Sequence, residues 1–211
     1  GCLHIQLDPQ DPAYAQWEAL LIDPSNELGY LRLASHYQAT GQLFEAEQVY
    51  ETGLKNIPNS ERLASSLGRL YLNSGQITDA VNYYNGERLQ SCNCASLYLD
   101  RAQLRAQAGE NQAALEDLSK ALGLNPELSE AWFWKGMLLN RQNQKTEALA
   151  AFKTAANYNA QQAAVWQQIA ILQKQAGESH FAIEAIKKAL RLEPDDYNLL
   201  QIYASLLEEL L

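Results

Sequence analysis

A chain of 211 residues that is 47% hydrophobic and 19% charged carries enough apolar material to fold, which excludes an intrinsically disordered chain. Its 25 Asp and Glu against 16 Lys and Arg give a formal net charge of −9, and with no run of basic residues such a field repels a phosphate backbone and excludes nucleic acid as a general partner. No apolar stretch approaches the roughly 18 residues that a membrane-spanning helix needs.

Residues 1–12 are polar and open on Gly1-Cys2 without an initiator Met. Two readings are open. Gly followed by Cys is similar to the cleavage point of a bacterial lipoprotein signal, which would make Cys2 an acylated residue, residues 1–12 a tether and the protein lipid-anchored at the cell envelope. Against it, processing would have removed Gly1, so the alternative is an arbitrary truncation of a cytoplasmic protein with Gly1 as a tag scar. The next segment, 13–22, carries Trp17, Leu20 and Leu21 before Pro24 and predicts a lone helix that covers the element after it.

From residue 27 onward the chain repeats itself. Tyr37, Gly41, Ala46 and Tyr50 return 34 residues later as Tyr71, Gly75, Ala80 and Tyr84. The same step reaches Gly109, Ala114 and Leu118, then Asn143, Ala148 and Phe152, then Gly177, Ala182 and Ile186. Five units in one register follow: 27–60, 61–94, 95–128, 129–162 and 163–196. Each reads as two helices with apolar residues at helical spacing on either side of a turn, where a glycine such as Gly177 accepts the left-handed conformation that ends a helix. Pro58, Pro126 and Pro194 close the second helices. Ala34, Gly68, Ala102, Gly136 and Ala170 share one position, where only a short side chain lets paired helices approach. Tyr50, Tyr84, Leu118, Phe152 and Ile186 share another and fill the space between them. A final helix is predicted over 195–211, with Tyr197, Leu200, Tyr203 and Leu207 docking on the fifth unit. Leu199, Leu206, Leu210 and Leu211 then widen its apolar stripe enough for self-association or a partner contact.

This pattern resembles the tetratricopeptide-repeat family, most openly in Trp132, Gly136, Leu139, Ala148, Phe152 and Ala155. The resemblance implies an all-α fold, a right-handed α-solenoid of helix-turn-helix repeats forming a single domain over 13–211. Departures are Arg101 and Lys135 in place of Leu, Arg105 in place of Tyr, Ala64 in place of an aromatic, and Glu87 and Cys92 in place of Ala and Pro. They make units two and three the weak joint. Long basic stems at 101 and 135 are expected to lie along apolar surface with their charges in water.

Sites of chemistry are not expected. His4, His36 and His180 have no metal-ligand spacing, and three cysteines, at 2, 92 and 94, make no disulfide framework. Cys92 and Cys94 are two residues apart, which closes a strained ring and supplies only two ligands, so the pair reads as an incidental loop feature. Glu45, Glu47, Asp117 and Glu147 read as solvated helix faces. No phosphate loop or nucleophile elbow is present, and neither catalysis nor a cofactor or metal is expected.

What remains is the inner face. In the family it receives extended peptides or helices, and the matching positions here include Arg62, Ser65, Arg69 and Asn73, then Leu99, Gln103 and Gln107. The fourth repeat adds Phe133, Met137, Asn140 and Arg141, and the fifth Gln167, Ile171, Lys174 and Gln175. The resemblance therefore implies a scaffold or adaptor holding a protein segment. The recurring cations together with Phe133 and Met137 point to an amphipathic or acidic ligand. The alternative is an assembly or regulatory subunit of a larger enzyme or envelope complex, contacting it through the C-terminal end. Family members that grip the acidic C-termini of chaperones carry Lys at the fifth and Asn at the ninth position. No unit here has that pair: Leu31 and Ser35, Ser65 and Arg69, Leu99 and Gln103, Phe133 and Met137, and Gln167 and Ile171 stand there instead.

Overall fold

The structure, a computed structural model, describes residues 13–86 and 94–209, and these gather into two compact units, Gly1–Arg101 and Ala102–Leu211. The expectations that fall on residues 1–12, with Cys2 and His4, and on Glu87, Cys92, Leu210 and Leu211 lie outside the described residues. Among the described residues there are twelve helices and no strand. The first unit holds α1 (Tyr14–Ile22), α2 (Glu27–Ala39), α3 (Leu43–Asn56), α4 (Glu61–Asn73) and α5 (Ile77–Asn85). The division falls within α6 (Ala95–Gln107). The second unit continues with α7 (Asn111–Leu124), α8 (Ser129–Arg141), α9 (Lys145–Tyr158), α10 (Ala163–Gln175), α11 (Ser179–Leu192) and α12 (Tyr197–Glu208). No helix among the described residues is long and apolar enough to cross a membrane.

The 34-residue period fixes the helix boundaries. First helices begin at 27, 61, 95, 129 and 163, second helices at 43, 77, 111, 145 and 179, and α12 begins one further period on at 197. Each turn between paired helices places one residue in the left-handed region: Gly41, Gly75, Gly109 and Gly177 at φ between 76° and 82°, and Asn143 at 61°. Asn is among the side chains that tolerate this conformation, which explains how the fourth repeat keeps its turn without a glycine. The turn is closed by one repeated hydrogen bond, as in the N–H of Gln42 to the carbonyl of Tyr37 at 2.8 Å and that of Gln144 to Leu139 at 2.9 Å. At the other end of the repeat, Asn26, Ser60 and Asp196 stand 34-residue multiples apart and accept from the N–H of Gly29, Leu63 and Leu199, capping α2, α4 and α12.

Packing runs between sequence neighbours: α2 on α3, α4 on α5, α8 on α9, α10 on α11, with α1 against α2 and α12 against α11 and α10. The approach within a pair is set by the shared small position. A Cβ on Gly136 would stand 2.8 Å from Cε1 of Phe152, and one on Gly68 would stand 2.5 Å from Cζ of Tyr84. Where the partner is aliphatic the small residue is Ala: Ala102 with Leu118, and Ala170 with Ile186, all buried.

The departures from the family pattern have partners of their own. Arg105 donates to Asp117 at 2.8 Å, and Asp117 is wholly buried rather than on a solvated face. Tyr71 and Tyr83 occupy the same two positions one repeat earlier, with ring centroids 5.8 Å apart. The third repeat thus exchanges an aromatic contact for an ion pair. Arg101 and Lys135 lay their charges over the rings of Tyr98 and Trp132, at 5.6 and 5.0 Å, rather than sending them only into water.

Both terminal helices correct the sequence reading. In α1, Leu20 is buried but Leu21 is exposed. In α12 the docking residues are Leu199 and Leu206, with Ile202 and Tyr203 packed beside them, whereas Tyr197, Leu200 and Leu207 are exposed. Leu199 and Leu206 stand one period after the buried Val165 and Leu172, so α12 docks as another first helix. Leu199 and Leu206 therefore belong to the core and do not widen an exposed stripe.

Because the small position and the bulky one are fitted to each other, Gly136→Ala is expected to cost about 1–3 kcal/mol of unfolding free energy. Adding Phe152→Leu, which recreates the Ala102 and Leu118 combination, should recover part of that loss. Urea denaturation of the two single variants and the double variant checks this, and strictly additive effects would reject the fitted pair.

Candidate interaction face

Three hollows lie beside consecutive first helices, each lined in part by positions expected to face inward. In the first unit, Leu31, Arg62, Ser65, Ser66 and Arg69 surround an opening of about 360 Å³. In the second unit, Glu130, Phe133, Trp134, Gln161, Gln162 and Glu193 surround one of about 470 Å³ between α8 and α10. Ile171, Lys174, Gln175, Gln201, Ser205 and Glu209 surround one of about 500 Å³ between α10 and α12.

The expected inner-face residues divide in three ways. Phe133 and Met137 are half-buried and rest on the core of the second unit, with the Phe133 ring 5.7 Å from that of Phe152 and 6.4 Å from that of Trp134. They present apolar surface held in place from behind. Gln103 and Asn140 are half-buried and Arg141 is exposed, so these too can be reached. Leu99 cannot. It is 1% exposed and belongs to the core, which removes it from the interaction face.

The cations are already engaged by the chain itself. Arg62 meets Glu27 at 3.1 Å, and Lys174 meets Glu209 at 3.0 Å while donating to Ser205 at 2.6 Å. Arg69 donates from Nε to Oδ1 of Asp100 at 3.1 Å, and Ser65 donates to Oδ2 of the same carboxylate at 2.7 Å. Asp100 is wholly buried, so this arrangement holds a charge inside the protein and Arg69 serves the fold. Burial, and then the nearby Asp100 carboxylate, push the phenol of Tyr84 far above its ordinary range and keep it neutral. Of the expected cations only Arg141 makes no ion pair among the described residues. Sequence spacing missed these pairings because the partners stand 31 to 35 residues apart in all three cases. Cys94 is disulfide-bonded.

The family model described as the Cilia and flagella-associated protein 70 C-terminal domain matches residues 6–210. Among curated proteins, the human protein O-mannosyl-transferase TMTC1 is 28% identical over 167 residues, which is 77% of this chain and 19% of that protein. The chain thus spans about a fifth of the length of the curated relatives it matches. Among solved structures, Pseudomonas aeruginosa pilF superposes with a TM-score of 0.75 at 17% identity, covering 87% of this chain and 84% of that one. YrrB, described as a TPR protein with an unusual peptide-binding site, gives 0.60 at 20% identity, covering 90% and 97%. At such identities the likeness establishes the fold alone.

The buried carboxylate separates structural from free cations. Arg69→Glu would set a second carboxylate against Asp100 and is expected to lower the unfolding free energy by about 3–5 kcal/mol. Arg141→Glu should change it by less than about 0.5 kcal/mol. Equal effects of the two variants in urea denaturation would contradict this assignment.

Proposed function

From the premise that the chain belongs to the Cilia and flagella-associated protein 70 C-terminal domain family of tetratricopeptide repeats, we propose that it is a scaffold that holds a segment of another protein along the inner faces of α8, α10 and α12. The observation that carries this reading is the half-buried pair Phe133 and Met137, fixed by the core beneath, with Phe133 lining the hollow between α8 and α10. An apolar anchor held rigidly loses little freedom when a ligand covers it, which is the condition for a binding hot spot. Amides from Gln161 and Gln162 line the same hollow as Phe133 and offer donors and acceptors to the backbone of an extended segment.

Phe133→Ala should weaken binding of a captured partner segment by about 2 kcal/mol with little dependence on salt. Because Phe133 also touches Phe152, thermal unfolding of the variant is measured beside the titration. Binding that survives this change but is lost on altering Lys153, on an outer face, would refute the inner-face reading.

A second reading is favoured by the 28% identity to a mannosyl-transferase of which this chain matches a fifth: the repeats serve as the recognition part of a larger enzyme rather than as its catalyst. In both readings the repeats bind and do not themselves transfer groups. An O-mannosyl transfer assay on the purified chain is expected to give no product under conditions in which it still binds a peptide, and turnover would overturn this.

A further inference from the structure

The hollow between α8 and α10 differs from its neighbours in charge. Its lining contains two charged side chains, Glu130 and Glu193, and both are carboxylates. Glu130 accepts from Nε2 of Gln103 through one oxygen at 2.9 Å, which leaves its other oxygen for a ligand. Glu193 is exposed and makes no ion pair among the described residues. Lys174, the nearest cation expected of this face in the fifth repeat, is held by Glu209 and Ser205 in the adjoining hollow. The floor is aromatic, formed by Phe133 and Trp134, whose rings lie edge to face with centroids 6.4 Å apart.

Two uncompensated carboxylates above an aromatic floor are complementary to one chemical group, an ammonium or guanidinium on an apolar stem. The carboxylates supply charge-assisted hydrogen bonds, and the methylene stem covers the apolar surface of the aromatic lining. The chain uses the same chemistry internally, with Lys188 4.1 Å above the ring of Trp166 and Lys135 5.0 Å above that of Trp132. We infer that the segment held on this face alternates apolar residues with Lys or Arg, one basic side chain entering the hollow between Glu130 and Glu193. This rests on the scaffold reading above and specifies its ligand.

The test uses three synthetic peptides with one shared pattern of Leu and Tyr, carrying Arg, Gln or Glu at the intervening positions. Affinities are measured by fluorescence anisotropy at low and moderate ionic strength. The Arg peptide is expected to bind about tenfold tighter than the Gln peptide at low salt, and the Glu peptide weakest. Since the whole chain is acidic, the decisive step is the comparison of variants. Glu130→Gln with Glu193→Gln should abolish most of the Arg preference, whereas Glu116→Gln with Glu147→Gln, an equal change of charge at exposed positions on second helices, should leave it. Glu193→Gln alone, at an exposed position, gives an intermediate loss should the pair perturb folding. An Arg preference indifferent to Glu130 and Glu193, or a Glu peptide that binds best, overturns the inference. A Glu peptide that binds best yet loses affinity in Phe133→Ala leaves the scaffold reading standing and removes only the charge assignment. If no peptide responds to Phe133→Ala, both fall.

Discussion

The architecture depends on one contact, the approach of a first helix to its second helix where the first carries no side chain beyond a methyl group. At Gly136 the backbone of α8 comes so near the ring of Phe152 that a Cβ would overlap it. This closeness decides which way each first helix is turned about its axis. Its bulky residues then enter the pair, and the residues about a quarter turn away face the next first helix. The inner face is thus a by-product of core packing: Phe133 touches Phe152 on one side and opens toward a hollow on the other. The left-handed residue in each turn completes the constraint by fixing where the second helix starts, and Asn143 shows that the conformation, not glycine itself, is what the turn requires.

Periodicity made most of this legible before any coordinates. A strict 34-residue step places each helix start, and short residues opposite bulky ones identify which faces meet. The failures share a cause. An acidic residue on a helix usually faces solvent, yet Asp117 is buried and Arg105, twelve residues earlier and itself out of pattern, faces it across the turn. Arg62, Arg69 and Lys174 meet partners in the next or preceding repeat, where no local pattern pairs them. In α12 the count of apolar residues misled, since leucines occur on several sides. The register would have chosen correctly, because Leu199 and Leu206 continue the buried Val165 and Leu172. Nothing in the residue types around Leu99 marks it as core.

The distribution of charge follows a consistent physical logic. Cations that the chain places inward are neutralised by its own carboxylates, which lowers the field a ligand meets and restricts long-range attraction to what is left over. Two carboxylates at the α8 and α10 hollow and the guanidinium of Arg141 at the opposite end of α8 are the main remainder. A face of this kind discriminates by where a ligand carries charge, more than by how much it carries.

A chain built of units that share one packing pattern faces a hazard that ordinary domains do not, since a first helix can be offered the second helix of another repeat or of another molecule. The Arg105 and Asp117 pair counters this. Either residue placed against the wrong repeat would meet Val49, Tyr83, Ala151 or Ala185, or else Tyr37, Tyr71, Leu139 or Gln173, and a buried charge would be left without its counterpart. A substitution that weakens the resemblance of the third unit to its family thereby gives that unit an address, readable only by its own partner and by no other pair of helices in the array.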